Sequence, residues 1–556
     1  MDGPDRRPAA RAVREFGARL DALCGPDRGG TQALPEPAVF LHADRERKAA
    51  ATGDPRPSHF DPAAWTVHLA PEPGREPDML GPARAAVDRR LGPPEDGEDE
   101  TPREALALLL AGRMLGKDLA WWAETLGRAG PGPPAGAAPA DAPTVPRSYL
   151  VELPATAWWL GTLAGRGELP GCAPAELAAA ERASRGRPLV PGPTPPPRTE
   201  GPLRRAPGGF QKGMALAHQG YAVVDGYGSS ASRDQLSRLA AMGASWVALT
   251  PYAYMADPSE PAIRFHRSPR QRAGAENDHA VLADARHARG LGLRVMLKPQ
   301  IWLRPPRWTG DVAMRSEHDW ARFFEQYADF LAHHALLAAA ADADLLVIGV
   351  ELQGASGREP EWRRLAAMAR SLYQGPITYA ANWGEEFESL SWWDALDYAG
   401  LDFYYPLSDD PAATGEDLDR GAAAAAVRAE RVALRWGRQV VLTEAGFPAL
   451  AACWVSPHDE RTGAGPDEQA QARAYLALLR AVWERPWAAG IHWWKWPTTP
   501  LAEDRPPPPG EPLFSPRGRA AQRVLEAWYG GLGEAEGKAI GRVDAPTGPV
   551  QSPQKP

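Results

Sequence analysis

Two textures divide the chain, and the change falls near Phe210. Beyond it, short apolar runs alternate with longer stretches whose apolar positions recur every three or four residues. The short runs are KGMALAHQ, SWVALTPY, LRVMLKPQIW, DLLVIGVE, PITYAAN, YAGLDFYY, QVVLTEAG and GIHWWKW. Most are continuously apolar rather than alternating, the pattern of strands buried on both faces. Between them lie amphipathic runs such as RDQLSRLAAMGA, DHAVLADARHARGLG, DWARFFEQYADFLAHHALL and QARAYLALLRAVWERP, each meeting the next strand after a short breaker. Eight such units in about 320 residues predict an α/β fold closed as a (β/α)8 TIM barrel rather than an open doubly wound sheet. No GxGxxG or GxxxxGK[ST] follows the first strand, which argues against nucleotide binding.

Before Phe210 the chain is rich in Ala, Pro and Arg, with short ordered pieces between breakers. VFLHADRER and AWTVHLAPE read as strands, and PREALALLLAGRMLGKDLAWWAETLGRA has apolar residues at helical spacing. The acidic run from Gly92 to Glu100 reads as a solvated loop. Pro131–Pro143 and Pro188–Pro207 carry the strongest linker signals. The expected organisation is an N-terminal α+β accessory region over 1–187, a Pro-rich linker over 188–209, the barrel over 210–530 and a disordered tail over 531–556.

Composition narrows the function classes. Hydrophobic residues make up 44% and charged residues 24%, which excludes a wholly disordered chain, and 21 Trp is an unusual indole load. With a net charge of −8 and no Lys/Arg run, nucleic acid is not an expected partner. No window approaches 18 consecutive apolar residues, so no membrane span is expected. The first residues are charged and lack an apolar signal core, so the sequence reads as cytoplasmic, with an extracellular or periplasmic location left open to what the function requires. Cys24, Cys172 and Cys453 are odd in number and far apart, which predicts neither a disulfide framework nor a metal knuckle. His333 and His334 adjoin on a helix, about 100° apart, so they cannot chelate one metal together and are expected at a surface or helix end.

In such a barrel the active site lies at the C-terminal ends of the strands, so a polar residue closing an apolar run is informative. The fourth run ends in Glu351 and the seventh in Glu444. A carboxylate at the end of a buried strand is costly unless it is paired or used. Glycoside hydrolysis needs two carboxyl groups flanking the anomeric carbon, and strands four and seven can face each other across the barrel mouth. Aromatic residues cluster at the same ends: Trp302 after the third strand, Trp383 after the fifth, Tyr404 and Tyr405 on the sixth, and Trp493, Trp494 and Trp496 on the eighth. Sugar rings present C–H faces that pack on such rings. About half of these Trp residues are expected to fill core layers, with Trp494 or Trp496 as a floor under the sugar.

The strings LRVMLKPQIW, VIGVELQ, ITYAANWGEEF, YAGLDFYYPL, VVLTEAGFPA and IHWWKWP, in that order and spacing over about residues 210–530, resemble glycoside hydrolase family 113, a group of retaining β-mannanases. The resemblance implies Glu351 as acid/base, Glu444 as nucleophile and Tyr404 as a hydrogen-bond partner of the nucleophile. It places Lys298, Gln300, Trp302, Asn382 and Trp383 around the sugar, and it implies no metal or organic cofactor. Much of the wider clan has Asn before the acid/base Glu, where this chain has Val350. The contact to the sugar 2-hydroxyl is then expected from elsewhere, with Asn382 as the candidate. HADRERKAAA, FDPAAWTVHLAPE and REALALLLAGR resemble the strand and helix order of gluzincin-type peptidase domains, but HExxH is absent. That implies a non-catalytic accessory domain.

The expectation is a retaining endo-β-1,4-mannanase acting by double displacement, with carboxyl groups about 5–5.5 Å apart. The rival readings are a non-catalytic carbohydrate-binding or scaffolding protein, the same chemistry on another β-glycan, and transglycosylation.

Overall fold

The computed structural model describes residues 7–24, 34–54, 56–70, 78–92, 94, 99–128, 148–167, 172, 175–177, 179, 209–218, 225–268, 276–460, 463–500 and 513–531. The Pro131–Pro143 segment, the linker as far as residue 208 and the tail from residue 532 lie outside the described residues.

All eight expected strands form, and they close into a parallel barrel: β1 (Gln211–Ala217), β2 (Trp246–Leu249), β3 (Arg294–Leu297), β4 (Leu345–Val350), β5 (Ile377–Asn382), β6 (Ala399–Phe403), β7 (Val440–Ala445) and β8 (Ala488–Pro497). Each pairs with its chain neighbours, and β8 closes on β1 with Ile491 opposite Lys212. Ala215, Ala248, Met296, Leu345, Val347 and Ala380 point inward and form, with Trp246 and Val350, a cluster separate from the main core. Small residues on β1, β2 and β5 make room there for the larger side chains. The helices start where side chains satisfy their free amides: Ser229, Asn277, Ser316, Thr414 and Asp467 each accept from an N–H of the first turn. A last helix, Ala520–Tyr529, runs beneath the barrel, where Lys212 Nζ donates to Tyr529 O at 2.6 Å and Tyr529 OH to Gly213 O at 3.1 Å.

The third expected strand divides. Its barrel ladder stops at Leu297, and after Pro299 the segment Gln300–Leu303 pairs in parallel with Tyr252–Met255 in a second, two-stranded sheet. Proline lacks the ladder donor, so the strand breaks there and the extension moves to the mouth.

The N-terminal region builds a three-stranded sheet from Ala38–Leu41, Thr66–Leu69 and Ser58–Asp61, with Thr66–Leu69 in the middle. It carries helices Arg7–Cys24, Leu80–Leu91, Thr101–Ala111, Leu119–Arg128 and Tyr149–Gly165. The long run expected to be helical is interrupted: Gly112 ends one helix at φ 75°, and a two-stranded turn with Leu115 and Gly116 at φ 52° and 80° precedes the next. Two sequence expectations are corrected here. Cys24 and Cys172 are joined in a disulfide with Cα atoms 5.4 Å apart, because folding brings together residues 148 positions apart that no spacing rule links. His333 and His334 are buried, at 1% and 4% exposure, because their helix lies under the N-terminal region and not at the surface. Among the described residues, no helix is long and apolar enough to cross a membrane, and no group of three or more His, Cys, Asp or Glu is arranged to hold a metal.

A buried polar chain joins the two parts. Ser148 Oγ lies 2.6 Å from His333 Nδ1, His333 Nε2 lies 2.9 Å from Asp278 Oδ1, and Tyr149 OH donates to Asp278 Oδ2 at 2.8 Å. The order Ser–His–Asp suggests a hydrolase triad, but Ser148 is fully buried and its hydroxyl accepts the Leu150 amide as a helix cap. The chain is a staple. Asp278→Ala leaves a buried phenol and an imidazole without their acceptor, so we expect a loss on the order of 3 kcal/mol, read as a lower denaturant midpoint at unchanged slope.

Candidate active site

Three strand ends meet at one buried ammonium group. Lys298, the first residue beyond β3, is wholly buried and donates to Glu444 Oε1 at 2.7 Å and to both oxygens of Asp402 at 3.1 and 3.2 Å. Asp402 lies on β6 directly opposite Glu444 on β7, and it also accepts from Thr443 Oγ1 at 2.7 Å. Glu444 receives two further donors, Gln300 Nε2 at 3.1 Å on Oε1 and Tyr404 OH at 2.8 Å on Oε2. Burial and then the Glu444 carboxylate hold the Tyr404 phenol well above its ordinary pKa, so it stays a neutral donor. Burial alone would lower Lys298, but the carboxylates of Asp402 and Glu444 outweigh it and keep the ammonium protonated.

Glu351 is supported differently. It follows β4 with φ +48°, and its side chain, partly exposed, accepts among the described residues only from Trp308 Nε1, at 2.7 Å. Burial first, then the charges of Asp402 and Glu444, raise its pKa well above the ordinary carboxyl range. Burial also pushes Asp402 up, to about 7, against the pull of Lys298. The Lys298 ammonium thus serves Asp402 and Glu444 together, and among the described residues it makes no hydrogen bond to Glu351. Asp402 and Glu444 have several donors each and Glu351 has one, so the proton retained at neutral pH belongs on Glu351. One fixed anion beside one neutral acid is the division of labour that acid–base hydrolysis requires.

The structure brings most of the sequence-predicted residues to this mouth. Gln300 reaches Glu444, and Trp302, two residues on along the same short strand, is 38% exposed and edge-on to Tyr254. Asn382 ends β5, half-buried, with Nδ2 3.4 Å from Gln353 Oε1. Trp383 packs against Tyr405 and His458, at ring distances of 5.4 and 6.0 Å. Trp494 covers the inner cluster with the Lys495 ammonium 5.1 Å from its ring. Two residues fall elsewhere than expected. Lys298 lies beneath Glu444 with no exposed surface to line a subsite. Trp496 is 1% exposed and donates to Gln235 on the first barrel helix, because the β8 ladder is irregular between Trp493 and Trp496 and the alternation of faces is lost. Sequence reasoning missed Asp402, although a charge inside AGLDFYY is a usable signal, and Trp308, which sits in the breaker-rich RPPRWTG and has none.

Residues 218–507, just over half of the 556, match the model of Glycoside Hydrolase Family 113. A GH113 β-mannanase from Alicyclobacillus acidocaldarius, solved in complex with ManMIm, shares 26% identity at a TM-score of 0.51 over 58% of this chain and 97% of that one. A further GH113 β-1,4-mannanase structure shares 23% identity at a TM-score of 0.51 over 58% of this chain and 99% of its own, a likeness of fold. No curated protein matches the chain.

The Trp308 indole favours the charged form of Glu351, so removing it must raise the Glu351 pKa further. In Trp308→Phe, a ¹³C-detected titration of Glu-labelled protein is expected to show the most elevated Glu carboxyl moving to higher pH. Movement downward would contradict the hydrogen bond as its source.

Proposed function

This chain belongs to glycoside hydrolase family 113, and on that premise we propose that it is a retaining endo-β-1,4-mannanase with Glu351 as acid/base and Glu444 as nucleophile. It is a glycoside hydrolase and its substrate is a glycan. The observation that carries the finer reading is the contrast between the two carboxyl groups. Glu444 is fixed by Lys298, Gln300 and Tyr404, whereas Glu351 has one donor and a raised pKa. The solved mannanase at 26% identity supports mannan as the substrate.

In the first step Glu444 attacks the anomeric carbon while Glu351 passes its proton to the departing glycosidic oxygen, so that bond breaks as the ester bond forms. Esterification removes the Glu444 charge, which is one of the causes holding the Glu351 pKa up. Glu351 therefore becomes more acidic at the point where it must serve as a base. It then takes a proton from water, whose oxygen displaces Glu444 and restores the starting state. Trp494 lies over the inner core as a floor for a sugar face, and Asn382 with Gln353 offers amides to a ring hydroxyl. Residues 1–187, joined through 188–209, are in this reading an accessory region without chemistry of their own.

The test is reducing-end release from mannan, glucomannan, cellulose, xylan and galactan, with Glu351→Gln as the blank. Release from mannan and glucomannan, absent from the blank, is the expected result. Release from another glycan alone reassigns the sugar, and silence from folded protein favours a binding role. The two residues are separated by azide. Glu444→Ala should be inactive until azide is added and should then give the α-glycosyl azide. Glu351→Ala should give the β-azide from an activated aryl glycoside.

A further inference from the structure

We infer that Tyr379 and Glu386 form a clamp that fixes the turn carrying Glu351 and so aims its carboxyl for proton transfer. The inference rests on the acid/base assignment above. Glu351 adopts φ +48°, a left-handed conformation that a residue with a side chain keeps only when its surroundings hold it there. Its own amide donates to Ala380 O at 2.8 Å, within β5. The next amide, that of Leu352, donates to the Tyr379 hydroxyl at 2.8 Å, and that hydroxyl donates in turn to Glu386 Oε1 at 2.7 Å. The other Glu386 oxygen accepts the Asn382 amide at 2.7 Å. One buried carboxyl therefore ties the turn after β4 to the end of β5.

The clamp is rigid and sits on the helix side of the sheet. Tyr379 is fully buried and edge-on to Trp362 and Trp392, at 5.1 and 5.2 Å, and those two indoles stack on each other at 5.3 Å. Gly349 lies so close to the Tyr379 ring that a Cβ there would be 2.7 Å from it. One residue earlier, Tyr327 OH donates to Ile348 O at 2.9 Å, so the strand is held up to the turn. Burial and the Glu386 charge keep the Tyr379 phenol protonated, so it can accept from Leu352 and donate to Glu386 together. Tyr379 is thus a positioning residue.

Tyr379→Phe keeps the ring packing and removes only the hydroxyl. If the clamp aims the acid, this variant should lose about 10- to 100-fold in kcat/KM on mannan, where the leaving group needs a proton, with KM nearly unchanged. On a dinitrophenyl β-mannoside, whose leaving group needs none, kcat/KM should stay within about two-fold, and azide should restore kcat. Glu386→Gln, a weaker acceptor for Tyr379 that leaves the Asn382 amide unpaired, should show the same selectivity and a higher KM, and it carries the test if Tyr379→Phe does not fold. Equal losses on both substrates, or no loss on mannan, would overturn the clamp. Glu351→Ala is measured alongside. If it lacks this selectivity, the acid/base assignment has failed and the clamp falls with it, an outcome distinct from failure of the clamp alone.

Discussion

The site depends on one charge imbalance: a single buried ammonium, Lys298, among Asp402, Glu444 and Glu351. A desolvated ammonium is stable only with counter-charge at contact distance, which Asp402 and Glu444 supply from adjacent strands. Once they are committed to it, a third nearby carboxyl can ionise only against two like charges in a medium that screens them poorly. Burial of the Glu351 carboxyl is the larger cause of its raised pKa, and these two charges add to it. Coupling also means that neutralising one member alters the others.

The barrel makes the imbalance possible by bringing strand ends distant in sequence to one rim. β3, β6 and β7 contribute Lys298, Asp402 and Glu444, while the break at Pro299 lifts Gln300 and Trp302 above the rim. Below them lies the apolar cluster that includes Ala215, Val347 and Ala380. The N-terminal region acts at a distance, bracing the helices at Asp278 and His333 through Ser148 and Tyr149. That bracing accounts for the burial of His333, while His334 pairs with Phe330 O and packs on the Phe330 and Phe265 rings.

Much of this is legible in the chain itself. Short apolar runs at regular spacing mark all eight barrel strands, and most are continuous because a strand buried on both faces has no polar alternation to obscure it. The closing carboxylates on β4 and β7 stand out for the same reason: a charge at the end of such a run has few structural excuses. What stays hidden depends on three-dimensional convergence. Lys298 reads as a subsite residue because sequence cannot show two carboxylates arriving above it, and Trp308 lies in a loop with no periodicity. Trp496 reads as a sugar platform only because alternation is taken as regular, and β8 is irregular between Trp493 and Trp496. The Cys24–Cys172 bridge escapes sequence reasoning because an odd, scattered set of cysteines carries no framework signal.

The residue before Glu351 shows how these constraints combine. Val350 belongs to the inner cluster at 7% exposure, so it anchors β4 in the barrel interior and offers nothing to a sugar hydroxyl. Its register partner is Ala380 on β5, so neither side of that pairing carries a hydrogen-bonding side chain. The turn after it must then redirect the chain at once, which is what the positive φ of Glu351 does, at a cost of about 1–2 kcal/mol. Hydrogen bonds from the Glu351 and Leu352 amides offset a cost of that size, at about 1 kcal/mol each. With Val350 apolar, recognition of the 2-hydroxyl falls in the proposed mechanism to Asn382, whose backbone amide is held by the same Glu386 that fixes the turn. In the proposed mechanism an apolar residue before the acid and an amide side chain at the end of β5 are therefore two parts of one solution.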